Sequence, residues 1–128
     1  MTFNRIVFAL VLVLTASSTA AARQADDLYK AFGEKAGLEA LMEDFVKRLV
    51  EDPRTRPSFE RADLANLKTK LVDQLCELAG GPCKYTGMDM KTAHAGMNVQ
   101  KSDFNALVEV LQKSMDLVWV GLIETNLS

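Results

Sequence analysis

The only histidine of the chain, His94, lies in a segment whose residue types could bind a metal. A neutral imidazole is a common ligand of iron and zinc in proteins. We expect Gly80 and Gly81 to end one helix, and Pro82 prevents that helix from resuming. A turn-rich loop follows, and a very short helix then carries His94 before Gly96 ends it. A single histidine is more often structural than functional, so the residues around His94 are needed to tell whether it binds a metal.

Residues 80–96 read GGP-x-x-YTG-x-x-M-x-x-x-H-x-G. In this spacing of glycine, proline, tyrosine, methionine and histidine the segment resembles the truncated haemoglobins, most closely group I. The similarity runs from about Asp26 to Asp116. The resemblance implies an all-α, two-over-two globin sandwich that holds haem b, with His94 as the proximal ligand of the iron. It also implies a diatomic gas (O2, CO or NO) as the ligand on the other side of the iron.

The same resemblance assigns further side chains to the haem slot. Phe59 would pack on the haem face, Phe45 would line the distal side and Lys70 would pair with a propionate. The apolar members would be buried in any helical core, and a solvated surface role explains Lys70 equally well. The predicted haem-binding residues are Phe45, Val46, Phe59, Leu67, Lys70, Leu71, Tyr85, Met90, His94, Val99 and Phe104.

The distal side departs from the group I pattern. The position after Phe45 is usually tyrosine and here is Val46, while Leu71 replaces the usual glutamine. With Leu67, these side chains offer no hydrogen-bond donor, and we expect Gln74 to face outward or to pack at the helix edge. A donor to a charged acceptor contributes about 1.5–3 kcal/mol, so O2 should bind weakly and CO and NO should be less affected. Nitric oxide dioxygenation needs bound O2, so any such enzymatic activity should be weak.

The first residues have the pattern of an export signal. Arg5 gives a positive start, residues 6–14 are apolar, and residues 15–22 are mostly small. The apolar run is shorter than the roughly 20 residues that span a bilayer, although an uncleaved anchor stays the alternative. We therefore predict a signal peptide over residues 1–22, a globin domain over residues 23–128 and a periplasmic location. With a net charge of −2 and no basic stripe, nucleic-acid binding is not expected.

Two cysteines, Cys76 and Cys83, lie on either side of the predicted helix end at Gly80. An exported protein meets an oxidising environment, where a disulfide is allowed. Their spacing would let them approach each other, and a bridge would tie down the loop that leads to His94. A bridge and two buried thiols are equally compatible with the sequence. No CxxC pair is present, so neither a redox motif nor a zinc site is supported.

The hydrophobic pattern is helical throughout, without repeats or an internal linker. A short helix should end at Gly33, and a strong amphipathic helix should follow and end at Pro53. Residues 54–61 form a connector, and a third helix capped by Asp63 carries leucines 64, 67, 71, 75 and 78 on its apolar face. The last helix should carry Phe104, Leu107, Val108, Leu111 and Met115 on one face. Beyond Met115 we expect only a stub around Trp119, so that the final helix is shortened.

Two functions from different classes remain. One is a haem globin, served by a reductase and with apolar surface near its C-terminus for a second copy. The other is a globin-derived helical domain without haem that acts in protein interaction, which the plain distal side and the short ending favour. A Soret absorption band separates the two. No set of residues typical of a hydrolase is apparent.

Overall fold

The structure, a computed structural model, describes residues 27–127, with side chains up to residue 118. The predicted signal peptide, residues 1–22, lies outside the described residues. Every regular element within 27–127 is helical, as the periodicity predicts. The helices are α1 (described over residues 27–31), α2 (Glu34–Glu51), α3 (Arg56–Phe59), α4 (Leu64–Leu78), α5 (Met90–Ala93) and α6 (Lys101–Leu127).

Helix α2 lies at the centre of the fold and packs against α3, α4 and α6. Gly33 adopts the left-handed conformation (φ 80°) between α1 and α2, which glycine accepts without strain, so the predicted stop of the first helix is confirmed. The inner face of α2 supplies the largest share of the core. Its buried residues are Leu38, Leu41, Met42, Phe45, Val46 and Leu49.

The connector between α2 and α4 contains a short helix, α3, that the pattern did not indicate. Pro57 lies in its first turn, where the missing N–H costs nothing. The Arg56 guanidinium donates hydrogen bonds to the carbonyls of Val50 (2.9 Å) and Glu51 (2.8 Å), which are among the last of α2. The buried Thr55 hydroxyl donates to the carbonyl of Leu49 at 2.7 Å. These contacts fix the corner that brings Phe59 towards the core.

Helix α4 begins as predicted, because the Asp63 carboxylate accepts a hydrogen bond from the backbone N–H of Asn66 at 3.1 Å. The apolar face was predicted one residue out of place. The face that the core buries consists of Val72, Cys76 and Ala79, which follow one another at four and three residues. The leucines lie beside this face, half-buried for the most part, and Leu78 is 73% exposed. Leu71 and Leu75 pack against the edge of the core, so these two leucines are partly buried and not fully enclosed.

Helix α6 corrects two predictions. It is 27 residues long and continuous to Leu127, so residues 115–127 continue this helix and are not a stub. No proline follows Met115, and a helix once formed extends readily through residues of ordinary propensity. Its buried face is Ala106, Val110 and Ser114, whereas Phe104 and Val108 are 61% and 44% exposed. Leu107, Leu111 and Met115 pack against the core as expected.

Candidate functional site

The His94 side chain is held by a hydrogen bond within its own turn. Its Nδ1 lies 2.7 Å from the carbonyl oxygen of Met90. A carbonyl oxygen can only accept, so Nδ1 carries the proton and donates, and Nε2 keeps its lone pair. This contact fixes the tautomer and the orientation of the ring. The imidazole is exposed and presents Nε2 as a potential metal ligand.

Helix α5, which precedes His94, is fixed at both ends. At its start, the Asp89 carboxylate accepts hydrogen bonds from the backbone N–H (3.0 Å) and the hydroxyl (2.6 Å) of Thr92. The hydrogen bond from the Thr92 hydroxyl is the main reason why the pKa of Asp89 lies below its usual range. At its end, His94 is the capping residue and Gly96 has a φ of 77°. The sequence therefore produces a short helix with defined limits under the histidine, as predicted.

Asp89 and Thr92 were not identified from the sequence as part of the site. Their signal was available, because an aspartate three residues before a threonine, at the start of a helix, is typical of an N-cap. Glu77 was also missed: its Oε2 accepts a hydrogen bond from the Tyr85 backbone N–H at 2.8 Å. That contact joins a helix residue to a loop residue eight positions later, and capping and turn rules, which act within a few residues, do not predict it.

The loop from residue 83 to 88 lies against α4. The Tyr85 hydroxyl donates to the carbonyl of Met88 at 2.6 Å, and its ring covers Gly87 so closely that a Cβ there would overlap it. The Lys70 ammonium donates to the hydroxyl of Thr86 at 3.1 Å. Lys70 and Tyr85, both predicted at the edge of the haem slot, are thus brought to the same loop.

Apolar side chains near His94 are left uncovered by the protein itself. Met90, Val99 and Phe104, which were predicted to line the slot, are 42%, 49% and 61% exposed. Met88 and Met97 in the same stretch are also exposed. Single exposed apolar residues are ordinary, but here five of them fall within the short stretch of residues 88–104.

The residues predicted for the distal side lie on α2, α3 and α4. Phe45 and Val46 are buried at 4% and 3% exposure, and Phe59, Leu67 and Leu71 are half-buried. Phe59 and Leu71 pack against the core that contains Phe45. Gln74, one turn after Leu71, is half-buried as well. The side chains of Val46, Leu67 and Leu71 offer no hydrogen-bond donor to a ligand.

The two cysteines form a disulfide, Cys76–Cys83, with Cα atoms 5.6 Å apart. The bridge links the end of α4 to the loop that carries Tyr85. Within the described residues, no three side chains of histidine, cysteine, aspartate or glutamate lie close enough to hold a metal ion. No helix in the described part of the chain is long and apolar enough to cross a membrane.

These elements define a globin-like helical protein whose one histidine follows a short helix, in a stretch of chain with several exposed apolar residues. Comparison with known proteins agrees. The model of the bacterial-like globin family matches residues 27–126. The chain belongs to that family, and its relatives place it with the group 1 truncated haemoglobins.

The similarity to individual relatives covers most of the folded part. The group 1 truncated haemoglobin of Tetrahymena thermophila is 31% identical over 73% of this chain and 77% of its own. That of Nostoc sp. is 31% identical over 77% of this chain and 84% of its own. The crystal structure of truncated haemoglobin from Tetrahymena pyriformis in its Fe(III) form superposes with a TM-score of 0.68, at 31% identity, over 71% of this chain and 78% of that one.

Proposed function

We propose that this protein binds haem b, with Nε2 of His94 as the proximal ligand, and takes up a diatomic gas on the opposite side. When bound, the haem supplies the iron to which the gas binds. The observation that carries the proposal is the state of His94: Nδ1 donates to Met90 at 2.7 Å, so Nε2 is the ring nitrogen free to bind a metal.

The apolar residues within ten positions of His94 in the sequence suit a flat apolar group. Met90, Val99 and Phe104 are large apolar side chains that the protein leaves more than two fifths exposed. Covering them removes apolar surface from water, which contributes about 25 cal/mol per Å². The half-buried Leu67 and Leu71 on α4 offer a second apolar surface. Lys70 would have to exchange its hydrogen bond with Thr86 for a propionate, and both contacts suit an ammonium group.

The distal residues decide how the gas is held. Val46, Leu67 and Leu71 can exclude water but cannot donate a hydrogen bond, and Phe45 adds an aromatic wall. Bound O2 carries partial negative charge that a donor would stabilise, whereas CO and NO depend less on a donor. We infer that O2 is held weakly, that the iron oxidises readily, and that nitric oxide dioxygenation is at most weak.

Hemin titration of the processed chain, residues 23–128, tests the proposal. We expect a Soret band shifted from that of free hemin and saturating at one equivalent. His94→Ala should abolish the shifted band, and added imidazole should restore it in part. Gln112→Ala is a matched control, because Gln112 is exposed on α6 and its side-chain amide donates a hydrogen bond to the Asp116 carboxylate at 2.9 Å. A wild-type spectrum identical to that of free hemin would favour the haem-free interaction domain instead.

The location and partners are part of the same proposal. Residues 1–22 would direct export to a periplasm, after which the domain would begin near Arg23. Readily oxidised iron requires a reductase to return it to the ferrous state. Leu117, 54% exposed on α6, offers apolar surface to a second copy in a homodimer. Mass spectrometry of the periplasmic fraction would identify the processed N-terminus, and size-exclusion chromatography would report the oligomeric state.

A further inference from the structure

The Cys76–Cys83 bridge is built into the end of the core. Cys76 is completely buried and Cys83 is half-buried. Gly81 lies between them, and a Cβ on it would come within 2.7 Å of both the Cys76 Sγ and the ring of Tyr29. The chain therefore passes close over the bridge, and the loop cannot shift outward there while the bridge is closed.

Beyond the bridge, the loop is held to α4 by three exposed polar contacts. Glu77 accepts the hydrogen bond from the Tyr85 N–H and forms an ion pair with Lys84 at 3.9 Å, and Lys70 donates to Thr86. Water competes for all three contacts, so each contributes little to holding the loop. The bridge is the one covalent connection among these four ties, and water cannot replace it.

A sequence of contacts leads from this loop to the histidine. The Tyr85 hydroxyl donates to the carbonyl of Met88. Asp89, the next residue, caps α5, and the carbonyl of Met90 then accepts from His94. Helix α5 has four residues, and a helix of that length has no stability of its own. Its position, and with it the position of His94, depends on the loop that the bridge holds.

We propose that the Cys76–Cys83 bridge is a redox-sensitive strap on the haem site: closed, it keeps His94 in place for the iron, and open, it lets the haem leave faster. The inference rests on the haem-binding function proposed above. The reductant is a dithiol. One of its thiolates attacks Sγ of Cys83, the less buried sulfur, the S–S bond breaks, and Sγ of Cys76 leaves and takes up a proton.

The second thiolate of the reductant then displaces Cys83, which also takes up a proton. Two electrons and two protons pass to the protein, and the dithiol becomes a disulfide. Because the leaving sulfur of Cys76 is buried, its thiolate is unfavourable and opening should be slow. The strap would therefore stay closed in an oxidising compartment and respond to sustained reducing conditions.

Haem transfer to an excess of apomyoglobin measures the rate of haem loss, on which the proposed strap should act. The haem-loaded chain is compared with its bridge intact and after dithiothreitol treatment, with free thiols counted in each sample. We expect about tenfold faster haem loss after reduction, which corresponds to ~1.4 kcal/mol. The double variant Cys76→Ala, Cys83→Ser should lose haem as fast as the reduced protein and should not respond to dithiothreitol, which excludes an effect of the reagent on iron. Thr86→Val, which removes only an exposed tie, should change the rate far less.

Amide hydrogen exchange of the haem-free chain gives a second readout that needs no variant. Reduction should speed exchange in residues 83–97 and leave α2 unchanged. If the oxidised chain binds no hemin, the proposed function fails and the strap with it. If the oxidised chain binds hemin but reduction changes neither the rate of haem loss nor the exchange of residues 83–97, the strap alone is refuted.

Discussion

Adding one hydrogen-bond donor to the distal side should convert a weak oxygen binder into a strong one. Leu71→Gln is the change best suited to the structure, because Leu71 is half-buried on α4 and glutamine has a similar length. Val46→Tyr would be less informative, since Val46 is 3% exposed and a ring there would overpack α2. The half-buried position lets the amide reach either the pocket or water, so the fold should tolerate it.

The expected change in the O2 dissociation rate follows from the strength of the new hydrogen bond. A hydrogen bond to a charged acceptor contributes about 1.5–3 kcal/mol, which slows O2 dissociation by roughly ten- to a hundredfold. The CO dissociation rate should change far less, because bound CO carries little charge. The ratio of the two effects therefore separates a hydrogen bond from a general change in the shape of the pocket.

Stopped-flow displacement of O2 by CO, and flash photolysis of the ferrous protein, give both rates. Leu64→Gln is a matched control, because Leu64 is half-buried on the same helix but was not assigned to the haem slot. Its O2 rate should equal that of the wild type. The reasoning is refuted if the wild type already releases O2 slowly, or if Leu71→Gln binds haem normally and leaves the O2 rate unchanged.

Three further predictions concern the scaffold. Gly81→Ala should lower the thermal midpoint in calorimetry, since its Cβ would lie 2.7 Å from the Cys76 Sγ and relieving that overlap costs about 1–3 kcal/mol; an unchanged midpoint would contradict the tight packing. Leu41→Ala should cost about 2–5 kcal/mol in urea unfolding, because Leu41 is 1% exposed. The hydrogen bonds from Arg54 lower the pKa of Asp52 from 3.8 to about 2. The stability that this carboxylate adds should therefore be complete above pH 4 and lost as the pH falls towards 2. Asp52→Asn should make the free energy of unfolding less dependent on pH between these two values.

The sequence was sufficient for the elements that have local signals. Asp63 at the start of α4, Gly33 before α2 and the short turn under His94 were each predicted from residue type and spacing, and each is present. Propensity and capping act within a few residues, so they can be read without knowing the rest of the fold. The hydrogen bond between His94 and Met90 belongs to the same class of local contact.

The helix faces were harder to predict, for a physical reason. Leucine and phenylalanine are more hydrophobic than alanine or serine, so the pattern placed Leu78 and Phe104 inside, whereas both are exposed. The buried positions include small residues such as Ala79 and Ala106, because close packing depends on the fit of side chains as well as on their hydrophobicity. The hydrogen bonds that Glu77 and Lys70 form with the loop depend on the assembled fold and have no local sequence signal.

The length of α6 was misjudged because the apolar end of the chain was read against the pattern of relatives. The residues themselves contain no stop: the helix passes Gly121 and continues to Leu127. A glycine inside a helix lowers its stability by about 1 kcal/mol, which neighbouring turns can absorb. The role of each predicted haem-binding residue stays a prediction, since it depends on a group that the chain must bind.

Because the chain has a single histidine, His94 can be observed directly by NMR. Nitrogen-15 labelling of histidine alone would give a single imidazole in the NMR spectrum, with no assignment needed. Paramagnetic iron at Nε2 would shift the Nδ1 proton, which is hydrogen-bonded to the Met90 carbonyl, far outside the normal range. An affinity tag of consecutive histidines would hide this signal and compete for hemin, so the protein should be purified without one.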